Sequence, residues 1–229
     1  MKNYEPRTTN YELANIMARY LGPKCRRCRK EEMPLFLKGT RCESPKCPVS
    51  KKKGPPGPHR RIMKKPSEYS TQLRAKQQVK RIYGVMETQF RRYFHNATKH
   101  KGMTGFNLLL SLEMRLDNVV RKLGLLSSIS GARQAVLHRH VKVNDRIINI
   151  PSYEVKVNDK IQITDKFKDN LFVKQATEAS SKKGVTPWLV LDVAGLSGTV
   201  TRQPLREEMS IPYDEERPKE QLIVELYSK

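Results

Sequence analysis

Apolar residues recur at helical steps between Ser67 and about Lys101, where Ile82, Met86, Phe90 and the pair Tyr93/Phe94 fall on one stripe. Gly84 interrupts it, so the pattern predicts two helices or one helix kinked there. Thr104 stands where a third helix, Phe106 to Leu123, would be capped. Leu109, Leu112, Leu116, Val119 and Leu123 form its apolar face, and Gly124 is its expected stop. A short helix from Ser130 to about His138 follows. The period then changes to two. Val141–Val143 and Arg146–Ile148 flank Asn144-Asp145, a hairpin-type turn. Further strand-like runs are Glu154–Val157, Lys160–Ile163, Trp188–Val193, Gly198–Thr201 and Leu222–Tyr227, and Ser180–Gly184 reads as a surface loop. The fold class is α+β, with no internal repeat.

Residues 17–65 lack this periodicity. Their apolar residues are sparse, with Leu35, Phe36 and Leu37 the main cluster, and Gly54-Pro55-Pro56-Gly57-Pro58 forbids helix. Such a segment cannot build a core of its own, so a metal or a partner must order it.

Charge sharpens this division. The 229-residue chain carries a formal net charge of +22. Residues 17–108 hold 24 Lys/Arg against 5 Asp/Glu, residues 109–229 hold 19 against 16, and the first 16 residues balance. An excess of this size repels itself unless a polyanion neutralises it, and nucleic acid is the usual one. The polyanion contact is therefore expected mainly in the first half. No stretch is apolar for long enough to cross a bilayer. The polar start, with Glu5 and Glu12, resembles neither a secretory signal nor a transit peptide. A cytoplasmic, reducing location without disulfides is the expectation.

All four cysteines lie in the core-poor segment, as Cys25-x2-Cys28 and, thirteen residues on, Cys42-x4-Cys47. Two close thiol pairs can complete one tetrahedron, so one zinc per chain is expected, with a four-iron cluster as the rival. Four protein ligands leave no open position for catalytic water. Arg26, Arg27, Lys51, Lys52 and Lys53 surround these cysteines and suit phosphate contacts; Arg60, Arg61, Arg74, Arg81 and Arg92 extend the candidate surface. Later in the chain, Arg133 and Gln134 fall near a helix N-terminus, which also favours phosphate. Arg133, His138, Arg139, His140 and Lys142 could form one RNA-facing patch. Structural packing of the two histidines at the helix-to-strand junction is an equal alternative.

The motifs Arg115-Leu-Asp-Asn-Val-Val120, Ala132-Arg-Gln-Ala-Val136, His138-x-His140, Val143-Asn-x-Arg146 and Pro151-Ser-Tyr-Glu-Val155 occur in the order found in a small RNA-binding fold. That fold is shared by pseudouridine synthases, tyrosyl-tRNA synthetases and a heat-shock ribosome-binding protein. Met17-Ala-Arg-Tyr-Leu-Gly-Pro-Lys-Cys-Arg-Arg-Cys28, Gln89-Phe-Arg-Arg-Tyr-Phe94, Pro187-Trp-Leu189 and Glu220-Gln-Leu-Ile-Val-Glu-Leu-Tyr-Ser228 choose among them. Together these resemble the bacterial family of small ribosomal subunit protein four, from residue 17 to 229.

The resemblance implies a non-enzymatic constituent of the 30S subunit. It implies a primary binder of 16S ribosomal RNA that nucleates assembly of the subunit body and contributes to translational accuracy. Its neighbours would be ribosomal proteins three and five and messenger RNA where it enters the subunit, with no membrane. Metal-binding members carry cysteines matching Cys25, Cys28, Cys42 and Cys47. The implied organisation is an unstructured extension at 1–16 and a metal-stapled basic segment at 17–59. A helical RNA-binding domain at 60–108, packed on by 205–229, and an RNA-binding domain at 109–204 complete it. The last contains a helix-turn-helix, a hairpin and short antiparallel strands. Arg139, Asp145, Ile129 and Gly131 depart from the family pattern; Arg139 and Asp145 stand where glycine is common.

An RNA-modifying enzyme of the pseudouridine synthase type is the alternative, because Arg115-Leu116-Asp117 imitates that catalytic motif. About 65 residues after Ile163 are too few for its catalytic domain, so Asp117 is expected instead to be a structural partner of an arginine. A DNA-binding zinc-finger regulator would need a recognition helix at the metal loop, for which prolines 45, 48, 55, 56 and 58 leave no room. The family-like text starts at Met17, so Met17 is the expected initiator, with Ala18 the mature terminus.

Overall fold

The computed structural model describes residues 20–57, 65–212, 214 and 216–228. The expectations for residues 1–16, for Met17 and for Arg60 and Arg61 lie outside these described residues.

Helix α1 (Lys24–Glu31) carries Cys25 and Cys28. The prolines between 45 and 58 do not govern this part of the cysteine segment: α1 lies upstream of them and begins directly after Pro23, a residue suited to a first helical turn. A single 3₁₀ turn, Gly39–Cys42, follows. Helix α2 (Glu68–Ile82) is capped by the Ser67 side chain, which accepts from the Ser70 N–H at 3.3 Å. It carries Glu68 in its first turn and Lys80 and Arg81 in its last, as the helix dipole favours. Gly84, at φ +64°, ends it, and helix α3 (Glu87–Lys99) begins three residues on. The expected break therefore falls where the glycine stands.

The long helix expected from Phe106 to Leu123 is instead two, α4 (Thr104–Glu113) and α5 (Leu116–Lys122). At Arg115 the backbone is extended and bridges Glu154. Leu116 N–H donates to the Tyr153 carbonyl at 2.8 Å, and Val155 N–H donates to Met114 at 2.9 Å. The chain gives up intrahelical bonds for this cross-link and for a buried ion pair. The same bridge is all that forms of the strand expected at Glu154–Val157. Thr104 is the first helical residue rather than the cap, which is Met103.

Helix α6 (Ile129–Leu137) is capped by Ser128, whose hydroxyl accepts from Gly131 N–H at 3.2 Å. Strands β1 (Val141–Val143) and β2 (Arg146–Ile147) form the expected hairpin. Its turn residues Asn144 and Asp145 sit at φ +48° and +64°, the left-handed pair that such a turn requires. Arg139, at φ +62°, likewise holds a conformation that glycine would take freely. Strands β3 (Lys160–Ile163), β4 (Leu189–Asp192) and β5 (Ser197–Val200) complete an antiparallel sheet in the order β2-β1-β3-β5-β4.

Two further stretches differ from the sequence pattern. Between β3 and β4 lie a short helix α7 (Asp165–Lys168) and α8 (Leu171–Lys183), so Ser180–Lys183 are helical and only Gly184 leaves the helix. Helix α8 buries Val173, Ala176 and Thr177, small residues that leave a weak stripe. Leu222–Tyr227 is not a strand but part of helix α9 (Lys219–Ser228). A short apolar run does not distinguish the two. Packing of α9 on α2 and α4 decides it, with Ile223 fully buried and Tyr227 stacked on Phe94 at 4.5 Å.

The molecule has two cores. One joins α5, α6, the sheet, Val173 and Trp188. The other joins α2, α3, α4 and α9, and also takes in Cys28, Leu35 and Leu37. The cysteine segment thus borrows a core from the helices.

On the rim of this second core, Glu87 accepts from Lys76 and Lys80 at 2.9 Å and from the Tyr227 hydroxyl at 3.2 Å. Partial burial opposes its ionisation, but the hydrogen bonds from Lys80 and Lys76 outweigh this and hold its carboxyl down at about 2. A carboxylate depressed in the folded state stabilises above its ordinary range and loses that contribution as pH falls toward the folded value. Glu87→Gln should therefore lower the urea midpoint at neutral pH, and the gap to the parent should close between about pH 4.5 and pH 2. A gap unchanged across that window would show that Glu87 contributes through packing alone.

Candidate nucleic-acid interface

The cations singled out by sequence fall into two groups. Arg26, Lys51, Lys52, Lys53 and Arg92 are exposed. The lysine run is held in shape while its side chains stay in solvent. Lys51, Lys52 and Lys53 N–H donate to the carbonyls of Cys47, Val49 and Pro48 at 3.1, 2.8 and 3.0 Å. Arg29 ties α1 to the segment after the lysine run, donating to the carbonyls of Gly54 and Pro55 at 2.7 and 3.2 Å.

Arg74, Arg81 and Arg133 are half-buried and already engaged. Arg74, at 3.1 Å, and Arg81 both pair with the buried Glu31, and Arg133 pairs with Asp117 at 3.3 Å. Arg92 lies apart from the first two, on α3 beside His95. Arg27 is half-buried, its guanidinium 3.5 Å above the Tyr20 ring. Arg27, Arg81 and Arg133 line one cavity together with Lys24 and Ser130, two residues the sequence pattern did not mark. Lys24 donates to the Ser130 hydroxyl across 106 residues of chain. That separation left no signal in the sequence.

At the end of α6, Gln134 and His138 are exposed, while Lys142 is half-buried on β1. His140 stacks on Phe167 at 4.2 Å with the rings 4° apart, which is the packing alternative realised for this ring. His138, 6.1 Å from it, keeps an outward face. Burial, then the neighbouring His138, lowers the His140 pKa.

Asp117 is a structural partner. It is fully buried, and Arg115 donates to it through Nε at 3.1 Å and Nη2 at 2.7 Å. The third Arg115 nitrogen donates to the Tyr93 hydroxyl at 2.7 Å. A carboxylate so engaged has no face left for a substrate.

The cysteines share a neighbourhood. Cys28 and Cys47 are buried, and Cys25 and Cys42 are half-buried. Burial, and after it the nearness of Cys42, Cys25 and Cys47, pushes the Cys28 thiol up. Lys38 N–H donates to Cys42 Sγ at 3.3 Å. Among the described residues, however, no three His, Cys, Asp or Glu side chains close into a set that could hold a metal ion. The expected staple is present as four thiols in one region and not as a closed tetrahedron.

Residues 19–113 match the family described as ribosomal protein S4/S9 N-terminal domain, and residues 114–161 match the S4 domain. Small ribosomal subunit protein uS4 of Caldicellulosiruptor bescii is 52% identical over 213 residues, which are 93% of this chain and the whole of the relative. The uS4 proteins of Dictyoglomus turgidum and Trichlorobacter lovleyi, at 51% and 49%, align over the same shares.

Proposed function

Because the chain belongs to the family of small ribosomal subunit protein uS4, we propose that it is a structural constituent of the small ribosomal subunit in the cytoplasm and a primary binder of 16S ribosomal RNA. The observation that carries this reading is likeness to uS4 proteins along 93% of the chain. The basic first half supports it: exposed Arg26, Lys51–Lys53 and Arg92 supply phosphate contacts, and Gln134, His138 and Lys142 form a second contact on the sheet-bearing half. In the finer reading, the chain nucleates assembly of the subunit body. Ribosomal proteins three and five and the incoming messenger RNA are its neighbours, and the chain contributes to the accuracy of translation. The chain acts by binding and positioning, not by catalysis.

The reading is tested by location. Produced at native level in a bacterium, the epitope-tagged chain should sediment with 30S particles and remain there after a high-salt wash. Recovery only at the top of the gradient overturns it.

One zinc ion held by Cys25, Cys28, Cys42 and Cys47 belongs to the same reading. Four thiolates fit zinc in kind and number, Cys25 and Cys28 stand one helical turn apart on α1, and an N–H already points at Cys42 Sγ. The ion would pull the half-buried Cys25 and Cys42 onto the buried pair. Elemental analysis should find one zinc per chain. Chelation should then raise protease cleavage within 20–57 far more than within 104–212, since all four ligands lie in the former. Absence of both zinc and iron, with four titratable thiols in the folded chain, removes the metal from the account.

A further inference from the structure

Three segments far apart in sequence meet at a cavity of about 40 Å³. The cysteine segment brings Lys24 and Arg27, the last turn of α2 brings Arg81, and the first turns of α6 bring Ser130 and Arg133. The volume exceeds the roughly 10–15 Å³ that one water needs and leaves room for the outer oxygens of a phosphoryl group.

Each cation is positioned by a neighbour. Arg27 is laid flat on Tyr20, Lys24 is tethered to Ser130, Arg81 is steered by Glu31 and Arg133 by Asp117. The two carboxylates are themselves divided, Glu31 with Arg74 and Asp117 with Arg115. Burial, then the positive charge of Arg81 lining the same cavity, lowers the Arg27 pKa. Behind them, the amino end of the nine-residue α6 adds its positive dipole. An anion between these groups would relieve their repulsion.

We propose that this cavity takes one backbone phosphate of the bound RNA, gripped by Lys24, Arg27 and Arg81 and backed by Arg133. The phosphate then ties the cysteine segment, the helical core and the sheet core into one arrangement, which contacts on the exposed lysines cannot do. The inference rests on the RNA-binding reading above and names a site within it.

The test uses the full chain with two probes. Inorganic phosphate, added against chloride at equal ionic strength, should move the Arg27 and Arg81 Nε–Hε signals in ¹⁵N spectra along a saturable curve, and Arg27→Gln should abolish the shift. For a 16S rRNA transcript, Arg27→Gln should lose about ten- to a hundredfold in affinity, the size of a buried charge-assisted contact. The salt slope should fall by only about 0.7–0.9, the share of one phosphate. Phosphate ethylation of the transcript should block binding of the parent at one position to which Arg27→Gln is indifferent. Arg27→Lys should recover part of the affinity, which separates lost charge from lost fold. Should Arg27→Gln melt early, Lys24→Gln carries the same expectation. If the parent binds the transcript and these variants bind it equally, with the same ethylation pattern, the cavity is not a phosphate site and the RNA reading stands. If the parent does not bind the transcript, the RNA reading fails and this inference fails with it, whatever inorganic phosphate does.

Discussion

Asp117→Asn should lower the unfolding free energy by about 3–5 kcal/mol, read from urea denaturation followed by the fluorescence of the buried Trp188. The estimate is that for breaking a buried ion pair on one side. Arg115 and Asp117 have no exposed surface, so asparagine would leave the Arg115 charge in the protein interior with only neutral acceptors, one amide oxygen and the Tyr93 hydroxyl. The loss would reach beyond the pair, because Asp117 also holds Arg133 on α6, and Arg115 stands at the break where α4 gives way to α5. Arg115→Met combined with Asp117→Leu should recover most of the stability, since an apolar pair of similar volume needs no desolvation. A single Asp117→Asn variant within about 1 kcal/mol of the parent would show that water reaches this pair and that it does not define the helix break.

The buried pair also marks how far the sequence could be read. Asp117 was legible as the structural partner of an arginine because about 65 residues after Ile163 are too few for the catalytic domain that its motif would otherwise serve. The break that the pair imposes was not legible, because Leu112, Leu116, Val119 and Leu123 keep helical spacing straight through it. What decides the break is hydrogen bonding to residues 151–155, and no local pattern records that partner. The same holds for α9, whose apolar run acquires its helical character by packing on α2 and α4. By contrast, the turn at Asn144-Asp145 and the corner at Gly84 depend on the residues at those positions, and both stand where the sequence puts them.

The candidate interface divides along the same line. Exposed cations in basic runs, such as Lys51–Lys53, are visible in composition alone. Ion pairing is not: Arg74 and Arg81 lie on the outer side of a helical stripe, yet the structure turns them onto Glu31, more than forty residues upstream. The cavity that joins Lys24 to Ser130 depends on three segments meeting, which neither charge nor spacing announces. The cysteine spacing marks a ligand set by chemistry, whereas the described residues leave it open. The apolar anchoring by Leu35 and Leu37 was hidden because the core they enter belongs to other helices.

Affinity for a 16S rRNA transcript should fall by about 250- to 1,000-fold between 50 and 200 mM salt, a log–log slope of about −4 to −5, if about six phosphates are neutralised. The sign follows from counterion release, and the magnitude from how many cations can reach phosphate. Deleting residues 17–108 is not a clean test of which half supplies them. Helices α2, α3 and α4 share a core with α9, so the deletion would expose Ile223, Met209 and Ile211 and unfold what remains. The exposed lysines offer a better one, because their side chains take no part in that core and their loop is held by backbone hydrogen bonds. Replacing Lys51, Lys52 and Lys53 together by glutamine should leave thermal unfolding unchanged and make the slope shallower by about 2–3, at roughly 0.7–0.9 for each phosphate released. Affinity at 50 mM salt should fall as well, while at high salt the two curves should converge, since counterion release no longer distinguishes them there. A parent slope near zero would remove phosphate neutralisation as the basis of binding. A triple variant with the parent slope would place the RNA on another face, and the contacts at Gln134, His138 and Lys142 would then have to carry the affinity instead.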